Sequence, residues 1–193
     1  IIGAGEFNVQ GNRYGVYATC LNPGDANVTV TNASSPAGTA VYSDKAIVTV
    51  KTNINAGYEG AFANLDANIT IEGNVIVNSA TGNSSGLNMI SSSTFTVHGD
   101  IIVNGDFMVG VRGNDSCNIT VNGNIFCTGI NTVAVEGNGS TVIVNGSIRA
   151  FQTGIKARSY SNITVNGDIT SYSILNAPDL MGANASAIYA YNG

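Results

Sequence analysis

Apolar and polar residues alternate in short bursts along this chain, and the bursts recur. In Asn118-Ile-Thr-Val-Asn-Gly-Asn-Ile, the apolar pair Ile119 and Val121 is set against Asn118, Thr120 and Asn122, the period of a strand buried on one face. The phrase returns as Asn68-Ile-Thr-Ile-Glu-Gly-Asn-Val, Thr94-Phe-Thr-Val-His-Gly-Asp-Ile, Thr141-Val-Ile-Val-Asn-Gly-Ser-Ile and Asn162-Ile-Thr-Val-Asn-Gly-Asp-Ile. Weaker copies stand at Asn27-Val-Thr-Val and Ile47-Val-Thr-Val. With Thr29, Thr49, Thr70, Thr96, Thr120, Ile143 and Thr164 taken as equivalent, the steps are 20, 21, 26, 24, 23 and 21 residues. Self-similarity at such a period marks a solenoid, in which each unit buries its apolar face only by stacking on its neighbours.

Each unit predicts three strands. The first is the alternating phrase. Asn122-Gly123 then turns the chain, glycine suiting a corner that needs positive φ, and Ile125 opens a second inward-facing piece. A third strand follows, as Gly15-Val-Tyr-Ala, Ala40-Val-Tyr-Ser, Gly60-Ala-Phe-Ala, Gly86-Leu-Asn-Met, Gly110-Val-Arg-Gly, Thr132-Val-Ala-Val, Gly154-Ile-Lys-Ala and Ala187-Ile-Tyr-Ala. Three brief strands per turn, repeated in phase without a helical pattern between them, predict an all-β fold. The expected form is a right-handed, single-stranded parallel β-helix of about seven to eight rungs. Rungs roughly 4.8 Å apart give a rod on the order of 30 Å long. Stacking predicts inward columns of Ile69, Phe95, Ile119, Val142 and Ile163 and of Ile71, Val97, Val121, Val144 and Val165. It also predicts a polar ladder of Asn74, Asp100, Asn124, Ser147 and Asp168. The chain reads as one domain over 1–193, a fragment of a larger protein, with loop insertions near 79–85 and 173–186.

The Asn-Ile-Thr-Val-Asn-Gly-Asn/Asp-Ile and Gly-Val-Tyr-Ala units, from about Gly15 to Ala190, resemble the right-handed parallel β-helix, or pectate-lyase-like, superfamily. The acidic, Asn-, Gly-, Ser- and Thr-rich character is also similar to the repeat regions of bacterial cell-surface proteins. The first resemblance implies that an enzyme of this kind uses clustered aspartates, with calcium and an arginine base in lyases. Here Asp100 and Asp168 stack with Asn and Ser rather than with carboxylates. Asp106 lies beyond the corner at Asn104-Gly105, and the Gly-His-Gly and Arg-Ile-Lys motifs of the polygalacturonase branch are missing. Enzymatic activity is therefore disfavoured. If present, it would be that of a polysaccharide lyase or glycoside hydrolase.

A net charge of -5 with seven basic residues gives no electrostatic footprint for nucleic acid, and the apolar runs are too short for membrane insertion. Neither a cofactor nor a metal is expected: the calcium-binding nonapeptide and any Cys/His cluster are both absent from the sequence. Cys20, Cys117 and Cys127 allow at most one disulfide, and Cys127 falls on the inward register as a small core residue. Asn-x-Ser/Thr sequons are numerous, including Asn27, Asn68, Asn118 and Asn162.

Three outward features carry candidate chemistry. Tyr17, Tyr42 and Phe62 fall on successive rungs and form a flat strip suited to stacking on sugar faces. The bland reading of the strip is that it stabilises the sheet. In the same column follow Asn88, Arg112, Ala134, Lys156 and Tyr189. The threonine column from Thr29 to Thr164 resembles an ice-binding face, but its companion column includes Lys51, Glu72 and His98. Glu72 and His98 occupy matching positions and read as a solvated surface pair. The functional expectation is a non-enzymatic stalk or adhesin module, extracellular or at the cell surface. A carbohydrate-binding module recognising polysaccharide or a host surface glycan is the alternative. Unpaired strand edges at the two ends add end-to-end self-association into a filament as a further alternative.

Overall fold

The computed structural model describes residues 7–80, 82–172 and 186–191. It is a parallel β-solenoid of about seven turns with three strands per turn, and no helix occurs among the described residues. Three parallel sheets run the length of the rod. Sheet I has eight strands, from Asn8–Gln10 to Ile169–Ser171; sheet II has eight, from Tyr14–Thr19 to Ser186–Tyr191; sheet III has seven, from Asn27–Val30 to Asn162–Val165. The chain visits the sheets in the order I, II, III and then steps up one rung. The loop expected near 79–85 lies between the sheet I strand Val75–Asn78 and the sheet II strand Ser85–Met89. The insertion expected at 173–186 falls almost wholly outside the described residues.

The alternating phrase forms sheet III in the register expected from sequence. Ile69, Phe95, Ile119, Val142 and Ile163 stack in one column, and Ile71, Val97, Val121, Val144 and Val165 in the next. From Ile69 to Val142 the first column is fully shielded from solvent, with Phe95 its largest member. In the last rung Ile163 and Val165 are only half-buried, because no further described turn covers them.

Sheets I and II meet through a shape rule. Gly60, Gly86, Gly110 and Gly154 leave no side chain where the branched residues of sheet I press on sheet II. A Cβ on Gly110 would lie 2.5 Å from the Ala134 carbonyl oxygen and 2.7 Å from Ile125 Cγ2. On these rungs the bare backbone makes room for the neighbouring β-branched methyl, while the small side chains of Ala40 and Ala134 fill the same place on two others.

The corners are held by polar side chains. Between sheets III and I, Asn53 Oδ1 accepts the Asn74 N–H, Asn74 Oδ1 that of Asp100, Asp100 Oδ1 that of Asn124, Asn124 Oδ1 that of Ser147, and Ser147 Oγ that of Asp168, all at 2.7–3.0 Å. The expected polar ladder thus exists, and its partners are backbone groups of the next rung. Between sheets II and III the chain takes two consecutive left-handed residues, as at Ser91/Ser92 and Asp115/Ser116. A small residue then tucks inward: Ser93 Oγ donates to the Ile90 carbonyl and Cys117 Sγ to that of Asn114. Cys117 therefore occupies a serine-like place in the corner. All three cysteines are free thiols.

Candidate functional site

The outer face of sheet II carries the densest chemistry. In-register stacking of parallel strands brings equivalent side chains about one rung apart, close to the spacing of stacked rings. Tyr17 and Tyr42 stack with centroids 4.9 Å apart and planes 13° from parallel, and Tyr42 and Phe62 do so at 5.1 Å and 13°. The strip read from the sequence is therefore one continuous stack, with Tyr17 58% exposed at its open end. Tyr14 joins it from the start of the strand, 5.1 Å from Tyr17 and 5.4 Å from Tyr42, and the Arg13 guanidinium lies over the Tyr14 ring at 5.2 Å. Burial in the stack, then the charge of Asp44 and the neighbouring tyrosines, raises the Tyr42 phenol above its ordinary value. Tyr14 escaped the sequence reading because a kink after it, at Gly15, returns both Tyr14 and Tyr17 to the same face.

Below the stack lies a buried carboxyl. Glu59 Oε1 accepts from Ser85 Oγ at 3.1 Å and from Asn88 Nδ2 at 3.0 Å, while Oε2 accepts from Thr39 Oγ1 at 3.5 Å. Burial pushes its pKa up; the hydrogen bonds from Asn88 and Ser85 and the charge of Arg112 offset only part of that. Its oxygens are occupied by three protein donors, which is the pattern of a positioned structural acid.

The lower half of the column differs from the sequence expectation at one rung. The strand is Val133–Asn138, and Glu136, not Ala134, stands between Arg112 and Lys156. Ala134 is instead fully buried, in the place that glycine fills on neighbouring rungs. The reason is the kink at the start of each sheet II strand. It buries two consecutive residues, Ala134 and Val135, so strict alternation misplaces the strand. Matching Ala134-Val-Glu-Gly to Gly110-Val-Arg-Gly would have found the register.

With Glu136 in place, three of the seven basic residues converge on one carboxylate. Arg112 Nε lies 3.2 Å away, Lys156 Nζ 3.2 Å and Arg158 Nη2 3.7 Å. Burial opposes ionisation of Glu136. The hydrogen bond and charge of Lys156, with the charge of Arg112, outweigh it and hold the carboxyl below its ordinary value.

Sheet III and the adjoining corner present the other expected columns. The threonines from Thr29 to Thr164 stack with Ile143 interrupting them. Beside them Asn166 Nδ2 donates to Asn145 Oδ1, Asn145 Nδ2 to Asn122 Oδ1, and Asn122 Nδ2 faces His98 Nδ1 at 3.1 Å. His98 Nε2 lies 3.7 Å from Glu72 Oε2, an exposed pair as expected. Asp100 belongs to the corner ladder, whereas Asp106 accepts from the Ile130 N–H on the far side of the strand Ile101–Asn104. The two aspartates therefore form no pair.

Sheet I shows an outward apolar column that the sequence reading passed over, Ile76, Ile102 and Phe126, half-buried on successive rungs. It continues into Arg149, whose guanidinium lies 4.8 Å from the Tyr172 ring. Among the described residues, no group of three or more His, Cys, Asp or Glu side chains is placed to hold a metal ion. The arrangement on sheet II offers a flat aromatic platform flanked by an amide, a buried acid and a compensated charge cluster. Comparison with protein-family models, curated proteins and solved structures found no match.

Proposed function

We propose that the chain is a rigid, non-catalytic rod serving as a stalk or adhesin-type spacer in a larger secreted or cell-surface protein. The observation that carries this reading is the corner ladder from Asn53 to Asp168, in which side chains bond the backbone of the next rung and so tie the rod along its axis. A solenoid gains length by adding turns without altering its neighbours, the property a spacer needs. The acidic, Asn- and Thr-rich surface supports the same assignment. So does the resemblance to right-handed, pectate-lyase-like β-helices and to bacterial surface repeats. The test is to exchange the chain, within its surface protein, for an unrelated β-solenoid of equal rung number. Display and adhesion should persist; loss of adhesion would assign the activity to this chain's own surface.

A second reading, carbohydrate binding, is favoured by the Tyr17–Tyr42–Phe62 stack, whose upper ring is open to solvent. Glycan-array binding that disappears in the Tyr17→Ala, Tyr42→Ala double variant would support it. Binding unchanged in that variant removes the strip from consideration. Release of sugar from a polysaccharide by the purified chain would instead place it among processing enzymes.

A further inference from the structure

The first position of each sheet III strand forms a column that the coil does not use. Asn27, Ile47, Asn68, Thr94, Asn118, Thr141 and Asn162 stack in register. Asparagine thus stands on every second rung, and each copy is followed two residues later by threonine: Thr29, Thr70, Thr120 and Thr164. On the rungs between, the sequon is broken by Ile47, Thr94 and Thr141.

Two structural facts set these four asparagines apart from the sequon asparagines Asn32, Asn114 and Asn145; Asn83, exposed and likewise unbonded, lies in the loop before the strand Ser85–Met89, outside the column. All four are exposed, and among the described residues their side-chain amides make no hydrogen bond. By contrast, three other sequon asparagines are tied into the structure: Asn32 Nδ2 donates to Asn8 Oδ1, Asn114 Nδ2 to the Met89 carbonyl and Asn145 Nδ2 to Asn122 Oδ1. Rung stacking would be served equally well by asparagine on every rung, so the alternation needs a separate cause. A substituent wider than one rung, roughly 4.8 Å, supplies it, because alternate rungs leave about 9.6 Å.

We propose that the outer face of sheet III carries N-linked oligosaccharides on alternate rungs, at Asn27, Asn68, Asn118 and Asn162. The donor class is a polyprenyl diphosphate-linked oligosaccharide. The asparagine Nδ2 attacks the anomeric carbon and a C–N bond forms. The anomeric C–O bond breaks, the diphosphate leaves with the electron pair, and Nδ2 gives up one proton to a base of the transferase. The Asn-x-Thr context is what such transferases read. At Asn32, Asn114 or Asn145 the same substituent would crowd the partner that the amide now bonds; at the four column sites it meets only solvent.

The proposal rests on the secreted placement inferred above. The test therefore imposes export with a heterologous signal peptide, so that bare asparagines count against the site and not against the placement. The chain is secreted from cultured eukaryotic cells, and glycopeptides are mapped after enzymatic deglycosylation in heavy-oxygen water. Asn27, Asn68, Asn118 and Asn162 should be occupied, with Asn32, Asn114 and Asn145 largely bare. Thr120→Ala should lose one glycan, that of Asn118, with the circular dichroism unchanged. Ile47→Asn, which creates a sequon with Thr49 between two occupied rungs, should stay largely unfilled or lower the secreted yield several-fold. Four bare column sites, equal occupancy at these seven sequons, or full occupancy in Ile47→Asn at unchanged yield would each overturn the proposal.

Discussion

Replacing Asn124 by alanine cuts the corner ladder at its middle, and the structure sets the cost. The Asn124 side chain accepts the Ser147 N–H at 2.8 Å and donates to Asp100 Oδ1 at 3.1 Å, while its own backbone N–H remains bonded to Asp100. The substitution removes two hydrogen bonds and strands a half-buried backbone donor. Two bonds at about 0.5–1.5 kcal/mol net each, with the orphaned Ser147 N–H placing the sum in the upper half of that range, give a loss of about 2–3 kcal/mol. For a chain of this size that corresponds to a fall in Tm of about 4–12 °C. The control is Asn145→Ala. It also breaks two side-chain bonds but lies in the exposed ladder, orphans no backbone group and should cost less than about 0.5 kcal/mol. Urea unfolding at pH 7, followed by circular dichroism, measures both. Equal losses for the two variants would refute the claim that backbone capping at the corner, rather than amide stacking in general, holds the rungs together.

Gly110→Ala should destabilise the fold by about 3 kcal/mol in the same assay, because its Cβ would meet the Ala134 carbonyl oxygen at 2.5 Å and Ile125 Cγ2 at 2.7 Å. Buried Glu59 and half-buried Glu136 should show opposite pH dependence in denaturation at pH 3 and pH 7. The raised pKa of Glu59 contributes stability below the ordinary carboxyl value and loses it as pH rises through the folded value, so Glu59→Gln should stabilise at pH 7 and not at pH 3. The lowered pKa of Glu136 contributes above the ordinary value and is lost as pH falls through the folded one, so Glu136→Gln should destabilise at pH 7 and do so less at pH 3. In thiol labelling at pH 8, half-buried Cys20 should react in the folded chain, while Cys117 and Cys127 react only on unfolding. Burial pushes the Cys127 thiol up to about 12.

Sheet III was legible from the sequence residue by residue because it is a regular strand with one buried face, where a one-residue slip would turn every apolar side chain outward. The corner ladder was legible as a stack, but not its bonding, since Asn74 or Asp100 gives no sign in sequence that its partner is a backbone N–H. Sheet II was the hard case. Its kinked strands bury pairs such as Ala134 and Val135 in succession, and this hid both Tyr14 in the aromatic stack and Glu136 in the charge cluster. The carboxyl of Glu59 was not legible either, because its donors Thr39, Ser85 and Asn88 come from neighbouring rungs.

The central claim is that the chain is a rod of interchangeable rungs whose length is its useful property. Deleting residues 72–97 tests it most directly, because this joins Ile71 to His98 at equivalent positions and removes one whole turn, including the strands Val75–Asn78, Ser85–Met89 and Thr94–Val97. Small-angle scattering should show a folded rod shorter by about 4.8 Å, with the β-sheet circular dichroism retained. An unfolded or aggregated product would contradict the claim, since it would mean the chain depends on a single core that cannot lose a layer.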